Sequence, residues 1–525
     1  MLLLCAMVFA FAACSPDNSG FVPEPEEPEC NGDWLSVSLR MPTTASRAKE
    51  SHPDEPAVNH ESDVENLTIF IYSSGDGLNA PSNALILESK YITKDKFISD
   101  ETVSNGQNGV DRIITVKFQT QSYKLQVGDR IAVVANMGDL SRFTTLGQLQ
   151  NYVPERTWLA SSRIEDYTQF TMASASNEDG YARAASGSTD PGSAESPYEA
   201  FISIERTAAR IDLGHDLGHD GGTWRQDQGE NFMVYTARDK AGKAVGTVYV
   251  SHVLPFNVMQ QPSYALKRIS RTATDNMSCF SMWTYTGTLP KDYGGKPTAY
   301  VIEPQTASKT GPEGLREKWF GNTRAGLIAE QGKDYFKDKP RLAVNTSEKY
   351  TILCYANENT AHVNHTTADN LTGIVIRAQY VPAQLHHNVG LTNPYTNVAR
   401  GTDIWRYMPR NSSTEESNVL YFSTEELANA YRNAHPEDLA SVTYFEKGEC
   451  FYHLWLKHTL LDKEDSMPRP TFPMEYGIVR NHIYRVSLIF RGIGRQGVTV
   501  DDPYNVQMTI FVRPWRFFTH DTIIM

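Results

Sequence analysis

The sequence predicts a mainly β protein built from antiparallel sandwiches. Apolar residues alternate with polar ones along several short runs, among them Ile114, Val116 and Phe118, and Ile374, Ile376, Ala378 and Tyr380. This alternation is the period of a half-buried strand. Residues 67–72 form a more continuous apolar run, which indicates a strand that is buried on both faces. The runs are rich in β-branched and aromatic residues, and Gly, Asn, Asp and Pro separate them. Many such runs in one long chain favour sandwiches over other classes.

Few helices are expected. The clearest begins at Ser423, because Glu426 lies three residues later, at the spacing of a capping box. The helical pattern continues through Leu427 and Tyr431 towards Pro436, where a helix must end.

The chain is long enough for two or more domains, since it has 525 residues. We find no internal repeat. Residues 175–197 are rich in Ser, Gly, Ala and Asp, which indicates a surface loop or an interdomain linker. We therefore predict a domain boundary near residue 197.

The N-terminus predicts export. Residues 1–13 are almost wholly apolar and too few to cross a membrane, as in a secretory signal. Small residues precede Cys14, and a polar tether follows it, so Cys14 is the predicted lipidation site of a lipoprotein. The alternative is an ordinary signal peptide with an incidental cysteine. Residues 21–30 are dominated by Pro and Glu, which is typical of an extended, solvated linker.

Composition excludes several classes of protein. The net charge of −13 and the lack of a basic cluster argue against nucleic acid as a partner. No later stretch of the sequence is apolar enough for a membrane span. Beyond the N-terminal region the cysteines are Cys279, Cys354 and Cys450, an odd number without C-x-x-C spacing. We therefore predict neither a disulfide framework nor a zinc site.

Two alternating strands lie near the two ends of the chain. In the first, the apolar positions are Leu35, Val37, Leu39 and Met41. In the second, they are Val506, Met508, Ile510 and Val512. Between the first strand and the rest of the domain, residues 43–50 form a small-residue, polar loop with Arg47 in its middle, the kind of loop that proteases cut.

This arrangement permits strand exchange. A cut after Arg47 detaches the first strand, and its departure opens an apolar groove with unpaired backbone groups on its flanks. The C-terminal strand of a neighbouring copy can fill such a groove, and a head-to-tail contact of this kind builds a filament. The alternative interpretation is that both strands stay in their own domain, since every sandwich has a first and a last strand.

Several stretches together resemble the fimbrillins of the Bacteroidales, the type V pilins. They occur in order along nearly the whole chain: residues 34–42 with 45–48, residues 202–210 with a Glu-Arg-x-x-Ala-Arg core, residues 452–456, residues 477–484 with an Arg-Asn-x-x-Tyr motif, and residues 506–515. The chain is most similar to the stalk pilins of the minor fimbriae of Porphyromonas-type bacteria. It departs from them in the linker before the last strand, where only residues 494–502 replace a long, Pro-rich, acidic segment.

The resemblance implies a fold, a processing route and partners. The fold is two stacked, transthyretin-like β-sandwich domains with a few short helices. Residues 1–13 are then the signal peptide, 14–47 a lipidated propeptide with the displaced strand, 48–197 the N-terminal domain and 198–525 the C-terminal domain, in which 504–525 is the donor region. An arginine-specific surface protease cuts between Arg47 and Ala48. The implied partners are other fimbrial subunits, that protease, and the outer membrane through the lipid before processing.

No catalytic, cofactor or metal site is predicted. The two His-Asp pairs in residues 214–220 are flanked by glycines, which favours a loop, and the histidines at 362, 365, 386 and 387 lack a His-Glu-x-x-His spacing. Acidic pairs such as Glu415-Glu416 and Asp501-Asp502 indicate solvated charge. No nucleophile elbow, phosphate loop or dinucleotide fingerprint occurs.

Three other functions stay open at this point. The chain can be a tip or accessory adhesin of the same superfamily, whose last strand remains in its own domain or only donates. It can be a lipid-anchored surface protein that binds glycans through exposed Trp or Tyr. A metal-dependent hydrolase is the least favoured.

Overall fold

The computed structural model describes residues 30–41, 59–73, 75–76, 80–104, 110–175, 180–214, 222–227, 229–259, 261–270, 279–280, 291–292, 296–297, 300–304, 341–342, 350–359, 371–410, 419–458, 476–497 and 506–514. The protein is mainly β, as predicted. Within these residues the α-helices are α1 (Leu146–Gln150) and α2 (Glu425–Ala434). Neither is long and apolar enough to cross a membrane.

In the described part of the chain, eight strands form the N-terminal sandwich. They are β1 (Trp34–Met41), β2 (Asn66–Tyr72), β3 (Ile86–Thr93), β4 (Ser99–Ser104), β5 (Val110–Gln119), β6 (Arg130–Ala135), β7 (Met172–Ser174) and β8 (Tyr198–Arg206). Their order is β3-β2-β6-β7-β8-β1-β5-β4. The first part of β8 pairs with β1 and its last residues pair with β7, so β8 joins the two layers of the sandwich.

The core of this sandwich explains the two sequence patterns. Alternate residues of β1 and β5, such as Val37 and Val116, point into one cluster together with Ile69 of β2. The strand β2 is buried on both faces, as its continuous apolar run predicts. Its Phe70 packs on the opposite side against Leu146 of α1.

The remaining strands belong to the C-terminal half. They are β9 (Ala209–Gly214), β10 (Thr223–Asp227), β11 (Glu230–Arg238), β12 (Ala244–Phe256), β13 (Arg268–Ser270), β14 (Cys279–Phe280), β15 (Lys291–Asp292), β16 (Lys296–Pro297), β17 (Tyr300–Val301), β18 (Tyr350–Ala356), β19 (Gly373–Pro382), β20 (Ile404–Met408), β21 (Leu420–Phe422), β22 (Ser441–Phe445), β23 (Glu449–Trp455), β24 (His482–Phe490) and β25 (Val506–Pro514).

Two sheets face each other in the second sandwich. One has the order β10-β11-β12-β19-β23 and the other β18-β9-β24-β25. Their inner faces share one apolar core, to which β19 contributes the alternating residues Ile374, Ile376, Ala378 and Tyr380. The outer face of the second sheet meets the first sandwich, because Tyr355 of β18 and Ile483 of β24 pack into the N-terminal core.

The predicted helix exists, but it begins one residue later than predicted. Thr424 is the N-cap of α2, and its hydroxyl accepts a hydrogen bond from the backbone amide of Leu427. Ser423 instead donates its own amide to the carbonyl of His386, which leaves it outside the helix. The helix covers a three-stranded sheet, β21-β20-β22, inserted between β19 and β23.

The predicted boundary near residue 197 precedes a strand of the N-terminal sandwich, because β8 pairs with β1 and β7. The first strand of the second sandwich is β9, which begins at Ala209. Residues 180–197 contact the first sandwich through bridges from Tyr181 to Arg130 and from Arg183 to Glu199. Residues 180–197 are thus a loop of the first sandwich. The chain passes to the second sandwich only later, between β8 and β9.

Candidate functional site

Strand β1 lies in the interior of its sheet. It pairs antiparallel with β5, from Trp34 opposite Gln119 to Met41 opposite Arg112. It also pairs parallel with β8, from Leu35 beside Tyr198 to Arg40 beside Ser203. The four apolar residues singled out in the sequence, Leu35, Val37, Leu39 and Met41, are all fully buried. The structure therefore brings them together in the core, between two hydrogen-bonded neighbours.

A polar anchor holds the start of β1. The carboxylate of Asp33 accepts a hydrogen bond from the backbone amide of Leu125 at 2.8 Å and pairs with the ammonium group of Lys124 at 3.0 Å. Its carbonyl accepts from the amide and the hydroxyl of Thr120. Gly192 approaches so closely that a Cβ there would lie 2.9 Å from the Asp33 carboxyl carbon, and its φ of +97° suits glycine. Sequence reasoning missed this anchor, because its parts come from three separate loops.

The terminal strand β25 occupies an edge. It pairs antiparallel with β24, from Val506 opposite Phe490 to Pro514 opposite His482. Within the described residues β24 is its only strand partner in the sheet. Positions 506, 508, 510 and 512 pair with Phe490, Leu488, Val486 and Tyr484, which line the core of the second sandwich. In this structure the last strand is thus docked on its own domain.

The predicted processing residues lie outside the described residues. These processing residues are Cys14, Arg47 and Ala48. The other residues of the segment 42–58 also lie outside the described residues. The described chain stops at Met41, the last residue of β1, and resumes at Asn59. Arg47 thus belongs to the segment that connects β1 with the remainder of the first sandwich.

A buried ionic cluster joins the two sandwiches just after this segment. The carboxylate of Glu61 accepts two hydrogen bonds from the Arg210 guanidinium, both at 3.1 Å, and one from the hydroxyl of Tyr355 at 2.6 Å. Arg210 also pairs with Asp212, which in turn pairs with Arg485 of β24 at 2.7 Å. Burial alone would lower the pKa of Arg210, but the carboxylates of Asp212 and Glu61 hold it above its ordinary value.

The Glu-Arg-x-x-Ala-Arg motif thus has a structural explanation. Its last residue, Arg210, binds the Glu61 carboxylate, and its Arg206 donates a hydrogen bond to the Glu61 backbone carbonyl. Burial lowers the pKa of Arg206 to about 9. Its Glu205 pairs with Lys267 at 2.7 Å, and burial raises the pKa of that carboxyl group. The motif therefore supplies the polar side of the joint between the sandwiches.

The Arg-Asn-x-x-Tyr motif anchors the start of β24. Arg480 is fully buried, pairs with Glu358 at 2.7 Å and donates to the carbonyls of Tyr264 and Ala265. Asn481 takes a φ of +55°, a conformation that asparagine tolerates better than most residues. The hydroxyl of Tyr484 accepts from the amide of Val479. The motif therefore fixes the strand on which β25 rests.

The histidines singled out in the sequence do not converge on a metal site where they can be located. His386 is buried against Phe422, and His387 stacks on Tyr395 at 4.4 Å between ring centroids. Across the described ranges, no group of three His, Cys, Asp or Glu residues is arranged to hold a metal ion. The predicted His-Asp pairs in 215–220 and the histidines at 362 and 365 lie outside those ranges, as do Glu415-Glu416 and Asp501-Asp502.

The C-terminal part of the chain matches a known family. Residues 443–521 fit the family described as "Major fimbrial subunit protein type IV, Fimbrillin, C-terminal". This range contains β23, β24 and β25, so it covers the terminal strand and the strand on which it docks. The resemblance to fimbrillins, predicted from the sequence, is thereby confirmed.

Solved structures give a weaker similarity over most of the chain. A fimbrilin (FimA) from Porphyromonas gingivalis is 12% identical, with 94% of this chain and 100% of that chain covered and a TM-score of 0.39. A cell adhesion protein, described as putative, from Parabacteroides distasonis is 15% identical, with 93% and 99% covered and a TM-score of 0.37. The tip fimbrial protein Mfa3 from P. gingivalis, with a C-terminal truncation, is 8% identical, with 91% and 99% covered and a TM-score of 0.33. None of the curated proteins matches the chain.

Proposed function

We propose that this chain is a structural subunit of surface fimbriae that polymerises by exchange of its C-terminal strand. One observation carries the proposal: among the described residues, β1 is an interior strand with a neighbour on each side, whereas the terminal β25 is an edge strand with one neighbour. The family match supports it, since the matched residues include β25 and its host strand β24. The role is structural and requires no catalytic residue.

Processing creates the acceptor. In this proposal the chain is exported with the signal peptide 1–13 and anchored in the outer membrane through lipid on Cys14. An arginine-specific surface protease then cuts between Arg47 and Ala48, and residues 14–47 leave with β1. What remains is a slot between β5 and β8, lined by the pockets that Leu35, Val37, Leu39 and Met41 now fill.

The donor is the terminal strand of the next copy. Relative to a strand exposed to water, burying Val506, Met508, Ile510 and Val512 in the slot contributes on the order of 6–12 kcal/mol, before the costs of ordering and of undocking from β24 are subtracted. Backbone pairing on both sides adds to this, because an unfilled slot would leave buried polar groups without partners. Each copy accepts at one end and donates at the other, so the contact extends as a filament at the cell surface. Such a filament supports adhesion and biofilm formation.

Arg47 tests the proposal directly. Purified precursor treated with a trypsin-like protease is expected to yield Ala48 as its first residue and to form ladders of polymers that resist SDS and dissociate on heating. Arg47→Gln is expected to block both. N-terminal sequencing and electrophoresis of unheated samples measure the two outcomes.

Arg163→Gln is the matched control, because Arg163 is 70% exposed on the same sandwich and lies far from β1 in the sequence. It is expected to assemble like the unmodified chain. The proposal fails if trimmed protein stays monomeric at high concentration, or if Arg47→Gln assembles as fast as the control.

A further inference from the structure

Phe201 is a large aromatic residue that is exposed on the outer face of the N-terminal sandwich. It lies on β8, an interior strand of the N-terminal sandwich, yet 49% of its surface is accessible. It points to the outer face, because Ala200 and Ile202 on either side of it are buried in the core. Its neighbour on β1 is Ser38, a small residue that leaves the ring uncovered.

The residues of β1 on this outer face are Trp34, Ser36, Ser38 and Arg40. Once β1 has left, the strand that replaces it presents its own outer positions beside Phe201. If positions 506, 508, 510 and 512 fill the four pockets, the outer positions are Gln507, Thr509, Phe511 and Arg513. Phe511 is the aromatic residue among them.

The position of Phe511 beside Phe201 does not depend on the direction of the incoming strand. If it runs like β1, Val506 takes the place of Leu35 and Phe511 takes the place of Arg40. If it runs the other way, Val512 takes the place of Leu35 and Phe511 takes the place of Ser36. Both places flank Ser38, the direct neighbour of Phe201, on the same face. Phe511 therefore lies diagonally across from Phe201 in both cases.

We propose that Phe201 is a docking contact for a second copy of this chain and receives Phe511 of the incoming strand. Diagonal neighbours in a sheet are about 7–8 Å apart, within reach of aromatic side chains. An aromatic pair stabilises a contact beyond the area that it buries. The inference rests on the proposed strand exchange and assigns Phe201 a function on the outer side of the slot, where the four pockets do not reach.

A double-mutant cycle tests the pair. Full-length chains carrying Phe201→Ala, Phe511→Ala or both are trimmed after Arg47 and assembled, and the rate at which polymers release subunits in SDS is measured. Each single change is expected to accelerate release by roughly 2- to 12-fold, the range for an aromatic pair. The double change is expected to accelerate it little further, because either change alone already removes the pair.

Val127→Ala is the control, since Val127 is a 67% exposed apolar residue of the same sandwich. It is expected to leave release unchanged, and Phe201→Ala is expected to leave the urea unfolding of the uncut precursor unchanged. A trimmed, unmodified chain that does not polymerise contradicts the proposed function itself. Polymers in which Phe201→Ala behaves like Val127→Ala overturn the inference alone. Independent, multiplying effects of the two Phe changes also overturn it, in favour of another occupant on Phe201.

Discussion

Strands β1 and β25 have similar sequence patterns but occupy opposite kinds of position. Each has four apolar residues at every second position within a strand of eight or nine residues. Strand β1 pairs with β5 and β8, and four of its side chains are fully buried. In the part of the chain that the structure describes, β25 pairs with β24 alone at the edge of its sheet. A strand that leaves an edge breaks one ladder of backbone hydrogen bonds, whereas a strand that enters the slot of β1 makes two.

This difference would give the proposed strand exchange a direction. In the proposed exchange the donor strand gives up one neighbour and gains two, which would favour exchange between copies over return to the edge. In the proposed assembly, the uncut precursor does not exchange strands, because β1 fills the slot and is joined covalently to its own sandwich. The comparison also separates two kinds of support, since β1 is held at its start by the Asp33 anchor and β25 depends on a host strand fixed by buried ion pairs.

The largest expected effect comes from removing the donor. Deleting residues 504–525 should abolish polymer formation after trimming, because the slot then has no strand to receive. The precursor should still unfold cooperatively, since β25 is an edge strand. Electrophoresis of unheated samples and circular dichroism check the two expectations. Polymers of normal length from the truncated chain would show that β25 is not the donor strand.

The next largest effect concerns the host strand. Glu358→Gln leaves the Arg480 guanidinium buried without its charge partner, which typically costs about 3–5 kcal/mol. Urea unfolding of the precursor measures this loss. Glu65→Gln is the control. The side chains of Glu65 and its partner Lys94 are 39% and 47% exposed, so this ion pair should contribute less than about 1 kcal/mol to stability. Equal losses in the two variants would mean that the ion pair does not fix β24.

A pair of substitutions then separates precursor from polymer. Leu39→Ala removes a fully buried side chain of β1 and should destabilise the precursor by about 2–5 kcal/mol. Polymers made from it should be as resistant to SDS as those of the unmodified chain, because β1 has left. Ile510→Ala should weaken the polymer and leave the first sandwich of the precursor unchanged. If Leu39→Ala also weakens the polymer, then β1 has stayed in the slot.

The smallest effect is expected at the polar anchor. Asp33→Asn keeps an acceptor for the Leu125 amide but loses the charge that strengthens this bond and pairs with Lys124, a loss of about 1 kcal/mol. The cut segment 14–47 should therefore dissociate several times faster, which chromatography of the released peptide measures. Asp139→Asn, which changes a similar cap at Ser141, should leave this rate unaltered. Identical dissociation rates in both variants would show that the Asp33 anchor does not slow the release of β1.

Local patterns in the sequence predicted many elements of the fold. The alternation at Ile114 and Val116 became β5, and the continuous run 67–72 became β2, buried on both faces. The period of side chains along a strand is a local property, so it can be read without knowing the neighbours. The helix α2 was likewise predicted from local sequence. Its N-cap is Thr424 and not Ser423, because the amide of Ser423 donates a hydrogen bond to the carbonyl of His386.

The sequence could not reveal which polar residues meet. Glu61 lies in a short polar stretch without any motif, yet it binds Arg210, 149 residues away, and Tyr355, 294 residues away. Arg480 and Glu358 are likewise 122 residues apart. The Glu-Arg-x-x-Ala-Arg motif pointed to one side of the joint, but its partners are set by the packing of the two sandwiches.

The sequence by itself determined the class of the protein, the presence of alternating strands near both ends and the resemblance to fimbrillins, because composition, period and motif are properties of neighbouring residues. Only the tertiary structure decided that β1 is an interior strand and β25 an edge strand, since the number of neighbours of a strand depends on segments far away in the chain. That number sets how many backbone ladders a strand must break to leave, and the proposed function depends on it.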